Sequence, residues 1–158
     1  MNPSPASDLG RRLAWSLALL RLSLALLFLL WAVGKLVHPE GNAAIWKHFY
    51  GVPIGVRLSI PIGIVEIVFA LAFAAGLWRR WTYGLACLLH GVSVVSTWKQ
   101  LLHPFGSPEH LFIAGVPALA GLVALYLLRE HDLWTVDAWR SGRRPPPGTT
   151  TPSDLFPA

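Results

Sequence analysis

Four apolar blocks, at residues 13–37, 58–77, 82–98 and 111–128, decide what this chain can fold into. Each holds about the 17–25 residues that cross a bilayer as a helix, the third at the short limit. A soluble core is built from alternating or amphipathic patterns, whereas these blocks are apolar all round. In hydrocarbon a backbone must satisfy its own hydrogen bonds, so the blocks predict helices. Of the 158 residues, 54% are hydrophobic and 13% charged, against about 25% charged in ordinary soluble domains. So few charges cannot solvate a small sphere. Most of the eight tryptophans lie near block ends, where an amphipathic ring suits the headgroup region. The expectation is an all-α membrane protein, a four-transmembrane-helix bundle with both termini cytoplasmic, embedded in the lipid bilayer of a bacterial inner membrane.

Charge placement sets that orientation. With both ends inside, the cytoplasmic set is Arg11, Arg12, Arg21, Arg79, Arg80, Arg129, Arg140, Arg143 and Arg144. The opposite side keeps Lys35, Lys47, Arg57 and Lys99. Basic residues favour the cytoplasmic side, so the first set belongs there. The same scatter in short groups argues against a nucleic-acid partner despite the net charge of +5. A secretory signal is the rival reading of the first block, but its apolar core would be about 7–15 residues with a small-residue cleavage site. Here the block is longer and runs into Gly34-Lys35-Leu36. Arg21 and Lys35 stand about 21 Å apart along a helix and could snorkel to opposite interfaces. The domain expectation is a cytoplasmic segment at 1–12, the membrane domain at 13–140, and a disordered, proline-rich cytoplasmic tail at 141–158.

Two ionisable groups lie deep in the blocks, Glu66 in the second and His90 in the third. Counted from the outer block ends, each is about 12 Å in. Helices joined by the tight turn at Trp78-Arg79-Arg80-Trp81 run antiparallel, so the two could share one layer. Intramembrane ionisable residues usually face a partner or a cavity. The pair could handle protons or bind quinone, or it could be a hydrogen bond joining two helices. At the outer ends His38, His103, Glu109 and His110 carry groups suited to copper, zinc or iron. They lack a diagnostic ligand spacing, and could equally be loop residues or a lining for a quinone headgroup. Pro117 should free the carbonyl of Ile113 and kink the fourth helix. Ala70/Ala74 and Ala114/Ala118 permit close helix contact. The lone Cys87 excludes an internal disulfide and a dithiol relay. The sequence has no phosphate loop, nucleophile elbow or dinucleotide fingerprint, which argues against a self-contained enzyme of a familiar kind.

With Leu20-Arg21-Leu22, Phe28, Gly34-Lys35-Leu36 and His38-Pro39 in and after the first block, Glu66 in the second, and Gly76-Leu77-Trp78-Arg79-Arg80 at the turn, the chain resembles the DoxX family of small four-helix bacterial membrane proteins. The resemblance covers residues 19–98 and extends to the fourth block by architecture alone. It implies a link to respiratory or redox systems, because relatives include a membrane subunit of thiosulfate:quinone oxidoreductase. It also implies that Arg21, Lys35 and Glu66 are family-type polar positions. His90 and the outer histidines lie outside what it transfers, as does the tail. The functional expectation is an auxiliary or structural subunit of a quinone-linked electron-transfer assembly. Its partners would be other membrane subunits of a redox complex or further copies of this chain. The candidate cofactor-binding set is Glu66, His90, Arg21 and Lys35, with quinone as the candidate cofactor and a metal ion at the outer histidines as the other. The alternatives are a quinone- or metal-dependent membrane oxidoreductase and a small transporter.

Overall fold

The computed structural model describes residues 5–103, 105 and 109–143, and the side chains of all of these except 5–7 and 109–111. Every element among them is helical. The longer helices are α1 (Pro5–Val37), α3 (Val56–Ala75), α4 (Arg79–Ser96) and α6 (Gly115–Leu127), and the short ones are α2 (Pro39–Ile45), α5 (Trp98–Leu102) and α7 (Val136–Arg140). Helices α1 and α3 are long and apolar enough to cross a membrane, and the apolar helical stretch at Phe112–Leu127 is shorter.

Helix α1 starts well before the apolar block, so most of the segment expected to precede the bundle is helical. A proline at the first position and Asp8 in the first turn suit a helix start. Asp8 also pairs with Arg11 and Arg12 one turn on, at 2.6 and 2.8 Å. At 33 residues, α1 is about 50 Å long and outreaches the roughly 30 Å of a hydrocarbon core. The expected loop at 38–57 is partly helical too, with α2 followed by a π turn, Trp46–Tyr50, that ends at left-handed Gly51. Ser59 is fully buried and anchors α2, accepting from the Asn42 amide at 3.0 Å. Because α3 begins at Val56, Pro61 falls in its second turn rather than its first.

The fourth block is not one kinked helix. A 3-10 segment, Glu109–Ala114, leads into α6, so Pro117 lies in the first α-helical turn. An amide there has no α-helical acceptor to lose, so Pro117 breaks no α-helical hydrogen bond.

Packing follows chain order for two of the three consecutive pairs of long helices. Helix α3 lies along α1 and α4 along α6, while α3 and α4 meet only slightly. Leu17, Leu24, Ala25, Phe73, Tyr83, Ala86, Leu122 and Leu125 form the core, with Leu17, Phe73, Tyr83 and Leu125 near the end of the bundle that carries the α3–α4 turn. Outward faces are apolar: Leu22, Leu26 and Leu30 on α1, Val65, Val68 and Leu71 on α3, and Leu88, Val92 and Val95 on α4 are exposed. Water does not tolerate a continuous belt of this kind on a small protein.

The turn itself is closed by backbone geometry. Gly76 ends α3 at φ +65, Gly76 N–H donates to Phe73 and Leu77 N–H to Ala72, the paired bonds of a Schellman motif. Trp78 follows in the left-handed region at φ 47, a conformation uncommon for a side-chain-bearing residue. The two left-handed residues, Gly76 and Trp78 with Leu77 between them, reverse the chain so quickly that α4 can start at Arg79.

Candidate functional site

The interior polar residues form separate pairs rather than one site. Lys35 Nζ lies 2.6 Å from Glu66 Oε2. Helical side chains lean toward the helix N-terminus. Lys35, near the C-terminal end of α1, therefore points into the bundle, while Glu66 on antiparallel α3 points out toward it. The two meet because Gly63 lets the helices approach closely. A Cβ on Gly63 would come within 3.0 Å of the Ala32 carbonyl and 3.2 Å of Lys35 Cβ. The pair is asymmetric: the Lys35 side chain is 13% exposed and the Glu66 side chain 37%.

His90 is not the partner of Glu66. Its Nε2 lies 3.0 Å from the Gly115 carbonyl, and its ring stands edge-on to Phe28 at 6.1 Å. A carbonyl only accepts, so Nε2 carries the proton in that bond and Nδ1 is the basic nitrogen. The expected Glu66–His90 layer fails because α4 is packed mainly on α6 and meets α3 only slightly. His90 ties α4 to the start of α6.

Arg21 does not snorkel to an interface. It is 4% exposed and its guanidinium is engaged by the segment after α6. Nη1 donates to Asp132 Oδ2 at 2.6 Å, and Nη2 to the Trp134 carbonyl at 2.6 Å. Asp132 is fully buried, and the same Oδ2 accepts from Tyr83 Oη at 2.7 Å. Arg79 completes the cluster, donating to the carbonyl of Asp132 at 2.9 Å and to that of Arg129. The carboxylate of Asp137 accepts from the Arg79 backbone N–H at 2.9 Å and so caps α4, favourable for a negative charge at a helix start. Thr135 caps α7, accepting from Ala138 N–H at 3.0 Å, and its side chain fills the space beside Gly76. Trp134 packs on Trp15 of α1 with ring centroids 5.0 Å apart.

Residues 129–143 thus fold back over the α3–α4 turn and α1. Asp132, Tyr83, Thr135 and Asp137 were not singled out from sequence. The signals available were a lone arginine in an apolar block, which needs a counter-charge, and Thr135 with Asp137 two residues on, a helix-start pattern. The expected tail at 141–158 begins differently from a disordered segment. Gly142, at φ +69, lets Arg143 N–H return to the Ala138 carbonyl and close α7, and residues 144–158 lie outside the described part. Arg143 also pairs with Glu130, and that contact holds the Glu130 carboxyl below its ordinary range.

Of the expected outer histidine set, only His38 and His103 have described side chains. His38 is exposed between α1 and α2, and the side chains of Glu109 and His110 lie outside the described ones. His103 faces His48 rather than His38, across an open cavity of about 610 Å³. Among the described residues no three His, Cys, Asp or Glu side chains gather as a metal-ligand cluster. A second, apolar groove of about 200 Å³ runs between α1 and α3, lined by Leu22, Ala25, Leu26, Leu29, Ala70, Leu71 and Ala74. The small Ala70/Ala74 pair therefore helps to form a groove.

No protein-family model matches the chain, and neither does any curated protein or solved structure.

Proposed function

We propose that the chain is a DoxX-like multi-pass protein of the bacterial inner membrane, with four spans and cytoplasmic termini, serving as an auxiliary subunit of a quinone-linked electron-transfer assembly. One observation carries the auxiliary part of this reading. The polar groups within the apolar helices are engaged in joining elements: Lys35 to Glu66, Arg21 to Asp132 and Trp134, His90 to Gly115. Residues so engaged stabilise a scaffold, whereas a proton path needs titratable groups in sequence along a channel. The belt of exposed leucine and valine supports residence in lipid, and the apolar α1–α3 groove fits an isoprenoid or acyl chain.

Two experiments test the parts separately. Reporter fusions at Arg80 and after Ser141 should read cytoplasmic, and fusions in the 38–57 and 99–110 loops periplasmic; a periplasmic signal after Ser141 overturns the orientation. Purification in mild detergent should bring down redox subunits, and a lone monomer without them counts against the subunit role.

A further inference from the structure

We propose that the cavity at the open end of the bundle, between the π turn and the α4–α5 junction, is a binding site for a phosphate-bearing headgroup. The proposal does not depend on the subunit role. The walls come from two parts of the chain. His48 and Phe49 stand on the π turn, and Ser96, Trp98, Lys99, Gln100 and His103 on the end of α4 and on α5. Phe49 is held by Phe112, with ring centroids 5.5 Å apart, so the turn is fixed against the 3-10 segment that leads into α6. The volume of about 610 Å³ lies inside the roughly 300–1,000 Å³ typical of small-molecule sites.

The chemistry of the lining selects an oxyanion. Among the described residues it holds an ammonium, two imidazoles and a carboxamide, and no carboxylate. Lys99 forms no ion pair among the described residues, and its ammonium lies over the Trp98 ring, 5.7 Å from the centroid. His103 Nδ1 is 3.1 Å from the carbonyl of Lys99. Nδ1 therefore donates to that carbonyl, and Nε2 of the same ring donates to a phosphate oxygen only when the ring carries both protons. A metal cation would be repelled by Lys99, whereas phosphate oxygens accept from several N–H groups at once and lysine is a common phosphate binder. Next to this polar lining stand Trp98, Val95 and Leu102, all more than half exposed. A ligand with a phosphate beside an apolar chain satisfies both surfaces. A lipid phosphate and a free phosphate share the headgroup chemistry, and the apolar rim separates them.

The test uses the full-length protein in a neutral, phosphate-free detergent, titrated calorimetrically with three probes: dihexanoyl phosphatidic acid, inorganic phosphate, and dihexanoylglycerol, which has the same tails without the phosphate. Saturable binding of the phosphatidic acid is expected, about tenfold weaker in Lys99→Gln and within about threefold of wild type in Lys99→Arg. His103→Gln should weaken it less. Lys99 and His103 are exposed, so an unchanged circular dichroism spectrum is expected and separates lost binding from lost fold. Inorganic phosphate binding as tightly, with the same Lys99 dependence, supports the site and assigns it to a soluble phosphate. Dihexanoylglycerol binding as tightly as phosphatidic acid overturns the proposal, as does no saturable binding by either phosphate probe. Phosphatidic acid binding that is indifferent to Lys99→Gln overturns it too.

Discussion

The two ends of the bundle are built in opposite ways. At the end carrying the α3–α4 turn, apolar packing and charge pairing coincide: the core residues Leu17, Phe73, Tyr83 and Leu125 sit beside the buried Arg21–Asp132 pair. At the open end the buried positions are small or polar (Ala32, Ser59, Asn42, Thr97), and Glu66 keeps a partly exposed carboxylate. The difference shows where such a chain can place function. A buried ion pair tolerates no solvent and little motion, so its end of the molecule is a fixed base. The open end has the cavity with His48 and His103 and the less constrained charge.

The largest expected effect tests the base directly. Asp132→Leu leaves Arg21 buried without its counter-charge, so unfolding in detergent should show a loss of about 3–5 kcal/mol. A loss no larger than that from Glu66→Leu would erase the distinction between the ends.

Next come two glycines that should respond in opposite directions. Gly76→Ala forces a side chain into φ +65 and brings its Cβ within 2.4 Å of Thr135 Cγ2, so it should destabilise by about 2 kcal/mol or more. Gly34→Ala, in helical backbone with nothing within 4 Å, should stabilise by about 0.5–1 kcal/mol. Thermal melts of the two proteins check this, and melts shifted the same way would refute the contrast.

Glu66 sharpens the comparison from the other side. Glu66→Leu should cost about 1 kcal/mol, the loss of one interhelical bond. Glu66→Gln should keep both stability and function if the residue only holds α3 to α1, because the amide still accepts from Lys35. Lost function in a folded Glu66→Gln protein would instead assign a titrating role to this position.

The smallest effect lies on the surface. Arg143→Ala removes an exposed partner of Glu130 and should cost about 0.2–1 kcal/mol. Because the folded state holds that carboxyl low, the contribution is present at neutral pH and fades as pH falls through the carboxylate range. Equal pH dependence in wild type and variant would show that the pair contributes nothing.

How much of the site was legible depends on the range of the interaction concerned. Lys35 and Glu66 stood out because a charge in an apolar block is conspicuous within a few residues of chain. Their pairing was not legible, since the tight turn suggested an α3–α4 neighbourhood that the packing did not adopt. Asp132 was still harder to find. In sequence it is one acid in Arg129-Glu130-His131-Asp132, an unremarkable polar run, 111 residues from the arginine it neutralises. His48 was passed over for a similar reason, since only the fold of the π turn brings it opposite His103.

By itself the sequence determined helical elements and an apolar exterior, because hydrophobic length and backbone self-satisfaction are local properties. It also placed a tight turn at Trp78-Arg79-Arg80-Trp81, while the helix stop at Gly76, inside the expected block, is a finding of the structure. Tertiary structure decided which helix lies against which, that Arg21 is buried with Asp132, that Lys35 turns inward to Glu66, and that 129–143 covers the turn. Those outcomes depend on close approach at Gly63 and Gly76 and on charges seeking the nearest counter-charge in space. Distance in space between residues far apart in the chain is set only when the whole bundle packs.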